Sequence, residues 1–235
     1  MREIRLAAEP FRFISLQKVE CRKELNGHGQ LRMRGVIAQD CVEKYRNMAS
    51  EEVWVTLGLK DEDGKEKVFF CGVLTEMEMQ RENSLYTLAF TAHTGSFLLD
   101  LVPHTRTFQK EGYTYQEVLE DCLYPDGGKF IMPDEQEEAP GRFLVQYGET
   151  DWQFVKRLAG YAGTVVIPEY TVAGKKLYFG YRNIPKKEEM VTDSYRLVQR
   201  NSGNRRWQYE IVSREVYGLG DCVIFENREW VIGKI

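Results

Sequence analysis

Residues 142–170, RFLVQYGETDWQFVKRLAGYAGTVVIPEY, write a strand, a capped helix and a second strand within one short run. Thr150 stands where an N-cap belongs, and Gln153, three residues on, can reach back to close a capping box. Asp151 adds negative charge to the first turn, where the helix dipole favours it. Phe154, Val155, Leu158, Ala159 and Ala162 then fall on one face at helical spacing, and Gly163 follows as the C-terminal stop. The segment predicts a helix over residues 151–162 that buries one face against β structure.

The remainder of the chain supplies that β structure. Val53, Val55, Leu57 and Leu59 alternate with Trp54, Thr56, Gly58 and Lys60, the period of two of a strand with one buried face. A polar turn at residues 61–64 leads into a second strand over residues 67–76. Leu31, Met33, Gly35 and Ile37 share a face, as do Tyr86, Leu88, Phe90 and Ala92, and in the first hundred residues only residues 41–48 read as helix. From Pro103 the pattern changes. Thr114 and Glu117 make another capping box, opening a helix over residues 115–124 that Pro125-Asp126-Gly127-Gly128 ends. Residues 132–141 are acidic, proline-flanked and read as an exposed loop. After Gly163 the strands resume: Leu177, Phe179 and Tyr181 alternate, then Trp207, Tyr209 and Ile211, with Val223 and Phe225, and Trp230 and Ile232, extending the series. Asn201-Ser202-Gly203-Asn204 is a turn by composition. The fold class is mainly β with an α/β insert. Two small β-barrel-like units, residues 1–102 and 164–235, flank an α/β subdomain at residues 103–163.

Composition narrows the function classes. At 235 residues the chain can bury the cores of up to three small domains. A formal charge of −4 disfavours nucleic-acid or anionic-membrane partners. No apolar run approaches the ~20 residues of a membrane span, and MREIRLAAEPFRF lacks the apolar core of a signal peptide. Cys21, Cys41, Cys71, Cys122 and Cys222 are odd in number, scattered and never in a CxxC pair, which fits small hydrophobes in a reducing cytoplasm.

No catalytic constellation emerges. His28, His93 and His104 stand in no HExxH and at no metal-ligand spacing. His28, in Asn26-Gly27-His28-Gly29, reads as a solvated turn residue; His93 and His104 read as hydrogen-bonded structural groups at the barrel-to-insert junction. GxSxG and GxxxxGK[ST] are absent, and Gly218-Leu219-Gly220-Asp221 lacks the strand–loop–helix context of a nucleotide site, so it reads as a turn. Glu149 and Asp151 could imitate a glycosidase pair, but their place around an N-cap explains them. Lys186-Lys187 and Arg200, Arg205 and Arg206 read as solvated loops. The expectation is no catalytic residue, no cofactor, no metal, no membrane and no specific nucleic acid.

The wording of the central segment goes further. QYGETDWQFVKRLAGYAG resembles the signature of the phage late control protein D and VgrG family, the baseplate hub and spike proteins of contractile tails and type VI secretion systems. The matching positions are Gln146, Tyr147, Glu149, Thr150, Asp151, Trp152, Phe154, Arg157, Leu158 and Gly163. Upstream, HTRTFQKEGYTYQEVLEDCL resembles a family passage leading into a short helix, and Phe70-Cys71-Gly72-Val73-Leu74 is similar to a strand of the family's first barrel. The three matches stand in family order. The resemblance implies barrel, insert and barrel, with the ten signature residues maintaining the fold and none doing chemistry. It implies a homotrimeric ring that joins a sixfold tail tube to a threefold spike, with tail tube, baseplate and spike proteins as partners. Location would be the bacterial cytoplasm at synthesis, then the virion tail or injection-particle baseplate. It also implies that the chain is the hub portion of a longer product. Two alternatives stay open: the hub platform of a spike carrying a cell-wall hydrolase or effector, and a tail carbohydrate-binding module.

Overall fold

The period-two runs of the first hundred residues become one antiparallel sheet in the computed structural model, which describes residues 5–48, 51–60, 66–110, 112–132, 140–141, 143–181, 188–190, 192, 194–202, 204–213 and 217–235. The strands are β1 (Arg5–Glu9), β2 (Ser15–Arg22), β3 (Gln30–Ile37), β4 (Trp54–Lys60), β5 (Glu66–Glu82) and β6 (Leu85–His93), in the order β1-β4-β5-β6-β3-β2. Leu31, Met33, Val55, Leu57, Phe70, Leu88, Phe90 and Ala92 form its buried face. Phe11, and Tyr45 from helix α1 (Cys41–Asn47), cover that face and meet edge to face with ring centroids 5.1 Å apart. Register shifts at Leu57/Gly58 and Leu74/Glu76 help to curl the sheet into a half-barrel whose edges are β1 and β2. β5 runs well past the predicted residue 76, because Asn83 and Ser84 take positive φ of 46° and 66° and turn it directly into β6.

A 3-10 turn, Gly95–Asp100, leads into the insert: β7 (Pro103–Phe108), α2 (Tyr115–Leu123), β8 (Lys129–Ile131), β9 (Leu144–Thr150) and α3 (Asp151–Tyr161). Both predicted capping boxes are present, Thr114 with Glu117 and Thr150 with Gln153. α2 stops one residue short of the predicted end and continues as the 3-10 turn Tyr124–Asp126, with Gly127 at φ 75°. α3 ends with Ala162 as its C-cap, and Gly163 follows at φ 68°. The two helices share one core of Phe108, Val118, Leu119, Leu144, Phe154 and Leu158, with Phe108 stacked on Phe154 at 5.1 Å.

β10 (Val166–Pro168) pairs antiparallel with β11 (Lys176–Phe179), and β11 pairs parallel with β8. These residues, assigned from sequence to the second barrel, therefore share the insert's sheet, and Val166, Leu177 and Phe179 its core. Beyond them lie β12 (Glu188–Glu189), the hairpin β13 (Tyr195–Ser202) and β14 (Asn204–Ile211), then β15 (Cys222–Phe225) and β16 (Arg228–Val231). Tyr195, Tyr209, Phe225 and Trp230 bind this last group through edge-to-face contacts at 4.9 to 5.4 Å. Residues 233–235 return to the first sheet: Lys23 and Ile235 exchange two backbone hydrogen bonds, and Leu25 N–H donates to the Gly233 carbonyl. There Lys23, only 2% exposed, sends its Nζ to the Phe69 carbonyl at 2.9 Å, between the rings of Phe69 and Tyr170.

All five cysteines are free thiols. The turn at residues 61–64, most of the loop at 132–141, Gly203, Lys186-Lys187 and the side chains of Arg200, Arg205 and Arg206 lie outside the described residues.

Two glycines should answer oppositely to alanine. A Cβ on Gly95 would run into the Gly174 carbonyl and the Trp54 ring, whereas one on Gly160, in the last turn of α3, meets nothing within 4 Å. Gly95→Ala should destabilise by about 1–3 kcal/mol, and Gly160→Ala should stabilise by about 0.5–1 kcal/mol. Urea-unfolding midpoints measure both.

Candidate functional site

Antiparallel pairing of β7 with β9 sets Arg106 opposite Gln146, and α3 begins where β9 ends, so Asp151 arrives beside both. Asp151 is 2% exposed. Arg106 Nη1 donates to Asp151 Oδ1 at 3.0 Å and to the Cys122 carbonyl at 2.9 Å, while Nη2 donates to Asp126 Oδ2 at 2.9 Å. Gln146 Nε2 donates to Asp151 Oδ1 at 2.9 Å and to the Glu149 carbonyl at 3.0 Å. Burial, with Asp151 next to it, pushes the Cys122 thiol far above its ordinary range, so it sits there as a neutral donor 3.5 Å from Oδ1. Sequence assigned Asp151 to the helix dipole; its larger role is as the buried anion on which strand, helix and turn converge. Gln146 Oε1 is the one buried side-chain polar atom among the described residues that lacks a partner. Turning the amide over would set that oxygen against the carboxylate, so the orphan is the smaller cost.

His104 joins the same cluster. Its Nε2 lies 3.4 Å from Asp126 Oδ2 and 3.9 Å from Asp151 Oδ2, and the ligand atoms of His104, Asp126 and Asp151 all lie within 4.8 Å of one another. Sequence spacing gave no hint of this triplet, since its members come from a strand, a turn and a helix. A cation could be considered there, but the Arg106 guanidinium already bridges both carboxylates and places positive charge between them.

Glu149 is engaged separately. Arg157 grips it through two bonds, Nε to Oε1 at 2.9 Å and Nη2 to Oε2 at 2.5 Å, and also donates to the Val145 carbonyl. The guanidinium lies over the Phe154 ring at 5.0 Å. With one carboxylate on Arg157 and the other on Arg106, the glycosidase-like pair is two structural ion pairs.

His28 departs from its reading as a solvated turn residue. Its side chain is 15% exposed and lies against the buried Trp152 ring at 4.5 Å. Nδ1 lies 2.9 Å from Ser96 Oγ and Nε2 lies 3.3 Å from Asp100 Oδ2, and the Asp100 carboxylate in turn accepts from the Thr150 hydroxyl. Serine, histidine and aspartate in a line have the composition of a hydrolytic triad. Ser96 is 0% exposed and its hydroxyl also meets Thr94 Oγ1, so no substrate carbonyl can approach it. The line instead joins the first sheet to the cap of α3.

Of the ten signature positions, Gln146, Thr150, Asp151, Trp152, Phe154 and Leu158 are buried, Glu149 and Arg157 pair, and Gly163 ends α3. Tyr147 differs. A bulge at Gly148, with φ 58°, turns it outward to 80% exposure. Leu158→Ala should cost about 2–5 kcal/mol, as emptied core positions do. Arg106→Ala, which strands a buried carboxylate, should cost about 3–5 kcal/mol. Chemical denaturation of each variant gives both values.

Known proteins can now be set beside this geometry. No curated protein matches the chain by sequence. In structure it is similar to the 43 kDa tail protein of prophage MuSo2 from Shewanella oneidensis, with TM-score 0.57, 15% identity, 84% of this chain and 60% of that one. It is similar to a tail protein of Neisseria meningitidis MC58 (TM-score 0.59, 11% identity, 86% and 60%). A third is an Escherichia coli component of the type VI secretion system that itself resembles the T4 tail proteins gp27 and gp5 (TM-score 0.56, 14% identity, 85% and 57%). The chain thus spans about three fifths of the length of these structures, and at such identities the likeness is one of fold. The model of the phage tail baseplate hub family matches residues 25–209, most of the 235, and the chain belongs to that family.

Proposed function

We propose that the chain is the hub portion of a contractile-tail or related injection-machine baseplate, in which three copies close a ring joining a sixfold tail tube to a threefold spike. The observation that carries a structural role is the fate of its chemistry-bearing side chains. Asp151, Glu149, Arg106, Arg157 and His28 are each consumed in holding one element to another. Family membership supplies the setting, and tail proteins and a type VI secretion component are among its structural relatives. The division into residues 1–102, 103–163 and 164–235, with β10 and β11 counted to the insert whose sheet they share, would give each subunit two β units, so that three subunits offer six places to the tube. A ring needs two different surfaces on each subunit, and the sheet edges β1 and β2 are candidates. Among the described residues no helix is long and apolar enough to cross a membrane. Synthesis in the cytoplasm, followed by placement in a tail or particle baseplate beside tube and spike proteins, completes the proposal.

Light scattering from micromolar to millimolar protein should show the mass rising towards three subunits. A stable dimer, or a strict monomer over that range, would count against the ring. Purified protein should show no turnover of peptidoglycan. Reproducible turnover abolished by a single His or Glu substitution would overturn the structural reading.

A further inference from the structure

We propose that the line of hydrogen bonds from Gly29 through His28 to Thr150 is an acid-sensitive latch between the first sheet and α3, opened by protonation of His28. The line starts beside β3, where Gly29 N–H donates to Thr94 Oγ1 at 3.0 Å. It continues from Thr94 Oγ1 to Ser96 Oγ at 2.9 Å, to His28 Nδ1 at 2.9 Å, and from His28 Nε2 to Asp100 Oδ2 at 3.3 Å. At the far end Gln153 N–H donates to Thr150 Oγ1, which leaves the Thr150 hydroxyl proton for Asp100 Oδ1.

Donor and acceptor roles follow from the ends inward. The Asp100 carboxylate only accepts, so the ring proton is on Nε2 and Nδ1 offers its lone pair. Ser96 must then donate to Nδ1, and Thr94 to Ser96. In this state every proton of the line has an acceptor. A second ring proton, on Nδ1, would face Ser96 Oγ and drive the Ser96 proton back towards Thr94. One hydroxyl proton is then without an acceptor in the line, and Thr94 and Ser96 are both 0% exposed. A buried donor left unmet in this way is costly.

The surroundings act in the same direction. Burial is the largest influence on His28 and holds its pKa below the ordinary histidine value; Asp100 opposes this, while His93 from β6 and Lys156 from α3 reinforce it. His28 lies edge-on to Phe97 at 5.8 Å, and Phe97 stacks on His93 at 4.9 Å, so water has little room to solvate a charged ring. His93 is likewise held low, by burial first and then Arg32, against Glu76. A histidine whose folded pKa is depressed stabilises the fold fully above its unfolded value of about 6.5, and that contribution is lost as pH falls through the folded value. The latch is therefore closed at neutral pH and weakens in acid.

Amide hydrogen exchange on the full chain, corrected for intrinsic rates, tests this. Between about pH 7.5 and about pH 5, protection of the first turn of α3 and of Gly29 should fall about tenfold. His28→Gln can accept from Ser96 and donate to Asp100 but cannot charge, so its protection should be the same at both pH values. His93→Gln should keep the drop attributable to His28. No drop in the unaltered chain, or an equal drop in His28→Gln, overturns the latch. Should His28→Gln fail to fold, nitrogen NMR of the His28 ring in the unaltered chain decides. An Nε2–H tautomer titrating below about 6.5 supports the latch, and a midpoint at or above that value overturns it.

Discussion

The insert depends on one buried charge. Asp151 opens α3, yet its carboxylate is held by Arg106 from β7 and Gln146 from β9. Taking a carboxylate out of water costs several kcal/mol, which only well-placed partners offset. The position of α3 is thereby tied to the register of β7 with β9. A slip of one residue would turn Arg106 to the other face and leave Asp151 buried and unpaired. Apolar packing of Phe154 and Leu158 contributes stability, while the ion pair specifies which arrangement is adopted.

The same few residues at the start of α3 serve two neighbours. Asp151 faces inward to the insert, while Thr150 and Trp152 reach Asp100 and His28, which belong to the turn and loop flanking the first sheet. Capping, charge pairing and attachment are thus compressed into three consecutive positions. Such a joint ties two cores together through three adjacent residues.

Local signals in the sequence proved far more legible than distant ones. Thr150 with Gln153, and Thr114 with Glu117, are three residues apart, and both helices start where those pairs place them. The alternation of Leu31, Met33 and Ile37 carried its strand in the same way. Side-chain partnerships across the chain leave no such periodicity. Nothing near Asp151 announces Arg106, 45 residues earlier, and nothing near His28 announces Ser96 or Asp100. His28 was misread because its own neighbours, Gly27 and Gly29, mark a turn, and a turn is ordinarily wet. The pairing of β11 with β8 was likewise hidden, since a three-residue strand has too few positions to show a period.

Lys23 sits where three remote stretches meet: Phe69, Tyr170 and the backbone of Ile235. Phe69 and Tyr170 enclose its ammonium, while Ile235 holds its backbone. The strands of the first sheet pair among themselves, but the site around this ammonium closes only when Tyr170, from beyond the insert's helices, is in place. One corner of the sheet is thus finished by residues far along the chain. Contacts of such sequence separation slow a β-rich chain's final step and hold its edges open to wrong partners while it waits.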